Sequence, residues 1–166
     1  MSEKTQCSSC HTGINFTDAS IEKEGEKPEP VFHDIGLYSI DEYKKMTPQE
    51  RGYSEISEKP TDIGKFRTPS LRNIALTYPY MHDGSIDCSP EKKRKIEEYS
   101  EECSTEALSK VIDHFMSGGK NPSNKDKNRI RAFNLSAGEK SDLIQFLKSL
   151  TDEEFIKDKK FSNPFL

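Results

Sequence analysis

The clearest pattern of apolar and polar positions lies in the last third of the chain. Apolar residues recur there at spacings of three and four, which marks one face of a helix: Leu108, Val111, Ile112 and Phe115. Ser104 or Thr105 is predicted to cap this helix, because a short hydroxyl side chain satisfies the free amides of a first turn. Gly118-Gly119 is predicted to end it.

A second helix is predicted near the C-terminus. Ser136 and Glu139 have the spacing of a capping box, in which each side chain bonds the other residue's backbone amide. A broad apolar stripe follows: Leu143, Ile144, Phe146, Leu147 and Leu150. Residues 151–166 come after this helix and are predicted to form a C-terminal extension of a domain that spans residues 1–150.

The first two thirds of the chain predict short elements and long loops. Asp41 is a predicted N-cap of a short helix that ends near Gly52, and residues 22–30 form a charged loop interrupted by prolines. Residues 54–66 are predicted to be irregular, and residues 68–83 to contain one helical turn followed by an ordered loop. Because strand patterns are scarce, the predicted fold class is all-α with long loops.

Composition adds a deficit of apolar material. Apolar residues make up 31% of the 166 residues and charged residues 33%, with a net charge of −4, whereas ordinary domains are ~45–50% apolar. We therefore expect something besides aliphatic side chains to fill the core. No apolar run approaches ~18 residues, so no membrane span is expected, and no basic stripe indicates nucleic-acid binding. Met1 to Gln6 contain no apolar stretch, so these residues carry no export signal.

The strongest motif is Cys7-Ser8-Ser9-Cys10-His11. Two cysteines three positions apart, followed directly by histidine, are typical of c-type haem attachment, in which each thiol adds to a porphyrin vinyl group and the histidine binds iron. Three alternatives compete with this interpretation. They are half of a zinc site, a thioredoxin-like redox pair and a disulfide within the pair.

Several segments, in order, resemble the bacterial di-haem cytochrome c peroxidases and their methylamine-utilisation relatives. The matching segments are Cys7 to Phe16, Phe32 to Gly36, Gly64 to Thr77, Pro79 to Gly84, Val111 to Gly119 and Leu135 to Leu150. The resemblance covers the C-terminal, electron-transfer half of that family and implies a cytochrome c-like haem domain with one covalent haem c. The family's N-terminal half, with its peroxidatic haem, has no counterpart in these residues.

The resemblance also bears on the second axial ligand of the iron. The family places a Met or a Tyr just before the paired glycines, and Phe115 stands at that position here. A phenyl ring cannot bind iron, so Met116 is the candidate distal ligand and Met81 the alternative. Met116 is equally explained as part of the apolar stripe, and His114 is less favoured because it lies off that stripe.

Other positions take their expected roles from the resemblance alone. Arg67 and Arg72 are candidates for pairing with haem propionates, although two surface arginines explain the sequence as well. Thr77 and Pro79 match positions whose backbone carbonyls hold calcium between the family's two domains. His82 matches a position facing the peroxidatic haem. His33 is expected only to pack.

Residues 86–103 depart from the family pattern and form an insert bracketed by Cys88 and Cys103. A straight helix would hold the ends of this insert ~22 Å apart, but a disulfide needs Cα atoms within ~7 Å. Either the insert folds back and the cysteines pair, which we favour, or they remain unpaired.

Two functions follow as expectations. In the first, the chain passes electrons from a small cytochrome or cupredoxin to a peroxidatic haem domain or subunit that reduces hydrogen peroxide. In the second, it is a stand-alone mono-haem cytochrome that carries electrons without catalysis. A periplasmic location is expected in both cases, because c-type cytochromes are generally exported. A zinc-bound structural module is a third hypothesis, but the sequence has too few correctly spaced ligands for it.

Overall fold

The computed structural model describes residues 4–19, 31–89, 100–121 and 124–162. The predicted loop at residues 22–30 and most of the insert at 86–103 lie outside the described residues. Within them, seven regular elements position the site. They are β1 (Phe32–His33), α1 (Ile40–Lys45), α2 (Ser54–Ser57), β2 (Phe66–Arg67), α3 (Glu101–Met116), α4 (Ala137–Ser149) and α5 (Glu153–Lys157). The described chain is therefore largely helical with few strands, as predicted.

Helix α3 begins earlier than predicted. Its N-cap is Ser100, whose hydroxyl accepts a hydrogen bond from the Cys103 amide. The predicted cap Ser104 is fully buried and donates its hydroxyl to the Ala75 carbonyl at 2.7 Å, and Thr105 bonds back to Glu101. The prediction of a cap at Ser104 or Thr105 is wrong because the Ser104 hydroxyl is hydrogen-bonded to the distant Ala75 carbonyl and does not cap the helix. The helix ends as predicted, with Gly118 and Gly119 at positive φ.

Helix α4 begins as its sequence predicts. The Ser136 hydroxyl accepts from the Glu139 amide at 3.2 Å, and the Glu139 carboxylate accepts from the Ser136 amide at 2.8 Å. The helix packs against α3 and against the short 3-10 helix at Ile74–Leu76. The buried hydrophobic core lies where these elements meet, and comprises Leu71, Tyr80, Ile86, Ala107, Leu108, Ile112, Ile144 and Leu147.

Helix α1 has a different cap from the one predicted. Ser39 forms a capping box with Glu42, which places Asp41 inside the first turn. The helix ends at Lys45, and a separate 3-10 helix, Pro48–Arg51, runs on to Gly52. Asp41 has a side chain suited to an N-cap, but Ser39 has the glutamate three residues later that completes a capping box.

The region from 54 to 66 is more regular than predicted. It contains α2 and a 3-10 helix at Pro60–Asp62 before β2 begins. Strand β2 pairs antiparallel with β1, with Phe32 opposite Arg67 and His33 opposite Phe66. The Phe32 ring stacks on Tyr53 with centroids 3.8 Å apart. This small ribbon places His33 opposite Phe66.

Cys88 and Cys103 form a disulfide, with Cα atoms 5.0 Å apart. The alternative in which the insert folds back is therefore the correct one. Cys103 lies in the first turn of α3 and is 1% exposed, so the bond ties the loop after Ile86 to the start of this core helix.

Removing this disulfide is expected to destabilise the fold. The Cys88→Ala/Cys103→Ala variant should lose about 3 kcal/mol of unfolding free energy, the value for releasing a loop of this length in the unfolded chain. Urea denaturation with and without reductant measures the effect. Reductant should shift the midpoint of the wild type and leave that of the variant unchanged; equal midpoints for the two proteins in oxidising buffer would contradict the prediction.

The loop after β1 is tied to the segment after α3 by a buried carboxylate. Asp34 is 2% exposed, and it accepts hydrogen bonds from the Gly36 amide at 2.7 Å and from the Asn124 side chain. Burial raises the pKa of Asp34 to about 6, against the opposing effects of these two donors and of Lys65. The folded chain therefore takes up a proton at Asp34 more readily than the unfolded chain does.

Because its pKa is raised on folding, Asp34 destabilises the fold when it is ionised. The contribution of Asp34 to the unfolding free energy should fall by up to about 3 kcal/mol as pH rises from about 4 to about 6. Above about pH 6 this contribution should stay low. Urea denaturation across this range should show the trend in the wild type relative to Asp34→Asn. The exposed control Asp41→Asn should follow the wild type, and a parallel profile for Asp34→Asn would contradict the assignment.

The C-terminal extension carries α5 and two exposed aromatic residues. The Asp152 amide donates to the Asn73 side chain at 2.7 Å, which joins the start of the extension to the core. Phe155 and Phe161 pack on each other with ring centroids 4.7 Å apart, and both are exposed. No helix in the described part of the chain is long and apolar enough to cross a membrane.

Candidate haem site

The cysteine motif folds into a tight turn with both thiols available. Cys7–Ser9 is a 3-10 helix, and the amides of Cys10 and His11 both donate to the Cys7 carbonyl, at 3.3 and 2.9 Å. Cys7 and Cys10 are half-buried and free. A disulfide within the pair is therefore not formed, and because Cys88 and Cys103 are bonded to each other, they cannot complete a zinc site with it.

His11 is oriented by a backbone carbonyl. Its Nδ1 lies 2.9 Å from the Phe16 oxygen, which assigns the proton to Nδ1 and leaves the lone pair on Nε2. Burial lowers the pKa of His11, while the carbonyls of Phe16 and Pro69 oppose that effect. A neutral imidazole with one nitrogen anchored in this way is the usual form of a metal-binding histidine.

Cys10 lies beside an acid and a histidine that are distant in sequence. The Cys10 sulfur, an Asp18 oxygen and a His33 nitrogen all lie within 4.8 Å of one another. Burial alone would raise the pKa of Cys10, but hydrogen bonds from His33 and Arg129 hold it below its ordinary value. The hydrogen bond between His33 and Cys10 contributes most to raising the pKa of His33 to about 9. The hydrogen bond with Asp18 raises this pKa further. His33 thus does more than pack, contrary to the expectation.

Arg129 reaches the same place from the loop between α3 and α4. Its Nη1 donates to the Ser9 carbonyl at 2.5 Å and lies 3.8 Å from the Cys10 sulfur. Arg129 and Asp18 are functional candidates that the sequence does not predict. Neither residue belongs to a motif, and no spacing in the sequence indicates that they meet.

The two candidate methionines lie at different places on the core. Met116 is the last residue of α3, and Met81 sits in the loop between Tyr80 and Ile86 with a φ of 73°. Both are half-buried and pack against the hydrophobic core, as Phe16 does. His114 is 5% exposed and donates from Nε2 to the Ile35 carbonyl at 3.0 Å, so its ring is already committed to the loop after β1.

The segment after β2 runs along the turn that carries Cys7, Cys10 and His11. Ser70 donates to the Asn15 carbonyl at 2.6 Å, and Thr17 donates to the Thr68 carbonyl at 2.7 Å. The guanidinium of Arg72 bonds the Ile14 carbonyl twice, at 2.6 and 3.1 Å. Arg72 therefore lies beside the turn, whereas Arg67 is placed over the Phe32 ring, 5.9 Å from its centroid.

The remaining predicted positions lie on the loop that precedes Gly84. Thr77 and Pro79 are exposed and two residues apart. His82 stacks on Phe66 with centroids 3.8 Å apart, and burial lowers its pKa.

Comparison with known proteins identifies cytochrome c peroxidases and MauG proteins as relatives of this chain. No family model matches the chain. Cytochrome-c peroxidase IdrP1 of Pseudomonas sp. (strain SCT) is 29% identical over 163 residues, which are 91% of this chain and 38% of the relative. The methylamine utilization protein MauG of Methylophilus methylotrophus is 34% identical over 147 residues, 89% of this chain and 32% of the relative.

A solved structure agrees with these relatives. A MauG-like protein associated with microbial copper homeostasis superimposes with a TM-score of 0.77 and 36% identity over the whole of this chain and 45% of its own. The chain thus spans between about a third and a half of the length of the relatives it matches. Those relatives include c-type haem proteins, and the match falls in their C-terminal half. The chain is therefore a homologue of the di-haem cytochrome c peroxidases and MauG, and it corresponds to the C-terminal half of these longer proteins.

Proposed function

We propose that the chain is a haem c electron-transfer domain of a di-haem peroxidase-type protein. The observation that carries this proposal is the geometry of the Cys-x-x-Cys-His turn. Both thiols are free, and the ring of His11 is oriented by the Phe16 carbonyl, which accepts a hydrogen bond from Nδ1 at 2.9 Å. A cytochrome c-like fold with one covalent haem is the arrangement that uses all three side chains at once.

The chain's own residues fit this cofactor. Cys7 and Cys10 would supply the two thioether bonds and His11 the proximal nitrogen, while Met116, or alternatively Met81, would supply the distal ligand. Bound haem iron supplies one-electron chemistry, and a thioether ligand raises its reduction potential. Without such a ligand, the iron would keep an open position at which peroxide binds.

Each thioether would form by addition of a cysteine thiol across a vinyl group of the porphyrin. The S–H bond and the carbon–carbon π bond would be replaced by a carbon–sulfur bond and by a carbon–hydrogen bond on the terminal carbon. The addition is redox-neutral, and the role of the chain would be to hold Cys7 and Cys10 in place for it.

The names of the relatives support a peroxidatic haem domain or subunit as the partner of this chain. IdrP1 is a cytochrome-c peroxidase, and this chain matches 38% of its length. Electrons from a small cytochrome or cupredoxin would pass through this domain to a peroxidatic haem domain or subunit that reduces hydrogen peroxide in the periplasm. Arg72, which lies beside the turn, and Arg67 are proposed partners of the haem propionates.

Calcium is a further proposed ligand. The Thr77 and Pro79 carbonyls are two oxygen donors, whereas calcium takes about six to eight. The others would come from water and from the partner domain, so the ion would bind where the two domains meet.

A stand-alone electron carrier is the second candidate, favoured by the single Cys-x-x-Cys-His among the 166 residues. The test is the haem content of the polypeptide or complex isolated from its source, together with its peroxide reduction. Two haems per complex, with turnover that requires both, support the peroxidase. One haem and no turnover support the carrier, and peroxide turnover by this chain alone would refute both.

A further inference from the structure

Four charged side chains close a ring beside the haem-binding turn. His33 and Arg129 each contact the same Oδ2 atom of Asp18, at 2.7 and 3.4 Å. The same two residues also contact the same Oδ2 atom of Asp126, at 3.4 and 3.6 Å. Each cationic side chain therefore touches both carboxylates, and we call this set the charge ring.

The charge ring is largely enclosed. The exposed fraction of the side chain is 6% for His33, 12% for Asp18, 27% for Asp126 and 35% for Arg129. Asp18 is held through Oδ2 alone, because its buried Oδ1 has no hydrogen-bond partner among the described residues. Removing one cation would leave a buried carboxylate under-compensated, which costs far more than losing a surface ion pair.

The ring joins three parts of the chain that are far apart in sequence. Asp18 follows the haem-binding turn, His33 belongs to β1, and Asp126 and Arg129 lie in the loop between α3 and α4. Buried ionic networks of this kind contribute little net stability, but they can fix one arrangement of the segments that carry them. The ring therefore fixes the position of the turn relative to the rest of the domain.

Arg129 connects the ring to the turn itself. The nitrogen that contacts Asp18, Nη1, also donates to the Ser9 carbonyl and lies 3.8 Å from the Cys10 sulfur. Within the described residues, Cys7 makes no such contact, and its sulfur lies 3.6 Å from the nearby Thr5 carbonyl. In that part of the chain the two cysteines of the motif are thus supported differently, because a distant segment contacts Cys10 and not Cys7.

We infer that Arg129, held by the charge ring, is a positioning residue that places Cys10 for its thioether bond, an inference that rests on the proposed haem c attachment. Cys7 attaches independently of the ring. Loss of Arg129 should therefore give chains that carry haem through Cys7 while the Cys10 thiol stays free.

The experiment compares haem-loaded wild type with Arg129→Gln. Arg131→Gln is the matched control, because Arg131 is exposed and bonds only the nearby Asn128 carbonyl among the described residues. Alkylation of the denatured, unreduced proteins followed by mass spectrometry counts free thiols, since the Cys88–Cys103 disulfide does not react. Peptide mapping then locates each free thiol.

In Arg129→Gln the fraction of haem-bearing chains with a free Cys10 should rise about tenfold or more, the usual range for losing a supporting contact. Arg129→Lys should be intermediate, and Arg131→Gln should match the wild type. Leu147→Ala, which removes buried side-chain volume from the core and so lowers stability, should leave Cys10 attached. If Arg129→Gln does not accumulate, Asp126→Asn, which opens the ring at a more exposed member, takes its place with the same expectation.

Full attachment of Cys10 in Arg129→Gln would overturn this inference and leave the proposed haem attachment intact. The same outcome in Asp126→Asn would do so if Asp126→Asn has replaced Arg129→Gln in the experiment. An equal free-thiol fraction in Leu147→Ala would also overturn it, because general destabilisation would then explain the effect. A wild-type chain without covalent haem would overturn the proposed cofactor and the inference with it.

Discussion

Replacing both motif cysteines, in Cys7→Ala/Cys10→Ala, is expected to abolish covalent haem completely. The two thiols are the free cysteines of the described chain, so no other sulfur there can replace them in the thioether bonds. Haem that survives denaturing electrophoresis, detected by its peroxidase stain or its pyridine haemochrome spectrum, measures the attachment. The stain should be strong for the wild type and absent for the double variant.

The chain supplies its own matched control for this experiment. Cys88→Ala/Cys103→Ala also removes two cysteines, but they form the disulfide at the start of α3. This variant should keep the stain while losing stability. Covalent haem in Cys7→Ala/Cys10→Ala, or its absence from a folded Cys88→Ala/Cys103→Ala, would contradict the assignment of the motif.

Loss of haem should also loosen the fold. The apolar fraction is only 31%, and the porphyrin would contribute a large apolar surface to the core. We therefore expect Cys7→Ala/Cys10→Ala without haem to show a broader thermal transition and a weaker near-ultraviolet circular dichroism signal than the wild type. A sharp, unchanged transition would mean that the side chains alone complete the core.

The helices that were predicted well are those whose signals are local. Ser136 and Glu139 lie three residues apart and satisfy each other's backbone amides, so their spacing alone locates the start of α4. The start of α3 could not be found in this way. Ser104 has the chemistry of a cap, but its hydroxyl is bonded to Ala75, 29 residues earlier in the chain. Only the tertiary structure distinguishes that use from capping.

The same division applies to the candidate site. The Cys-x-x-Cys-His turn was predicted because the residues that carry its chemistry are adjacent in sequence. Asp18, Asp126 and Arg129 converge on it from separate segments, and a charged residue in a loop usually faces solvent. His33 was expected to pack because its two carboxylate partners, Asp18 and Asp126, lie far from it in the sequence.

Helical geometry separates the two residues near the end of α3 that carry ligand atoms. Successive residues of a helix are rotated by about 100°, so Met116 lies about 200° around the axis from His114. His114 points to the Ile35 carbonyl. Met116 instead follows Leu108 and Ile112 at steps of four residues, which places it on the face that meets the core. A haem that completes this core would therefore meet Met116 rather than His114.

Met116→Ala is accordingly expected to change the visible spectrum and the reduction potential of the haem iron, whereas Met81→Ala should leave both unchanged. Loss of the thioether should remove the weak sulfur-to-iron(III) charge-transfer band at the red end of the visible spectrum. It should also lower the reduction potential by on the order of 100 mV, because a thioether stabilises the reduced iron. Optical redox titration of the haem-loaded proteins measures both changes.

Met46→Ala controls for the loss of a methionine as such, because Met46 directly follows α1 and is not part of the hydrophobic core cluster. If the band persists in Met116→Ala and disappears in Met81→Ala, the loop methionine is the ligand. The left-handed φ of 73° at Met81 would then have a functional cause, since a bulky residue adopts that conformation at a cost of about 1–3 kcal/mol. If neither variant loses the band, both assignments are wrong. If the wild type has no such band, the iron lacks a thioether ligand and is expected to bind hydrogen peroxide directly.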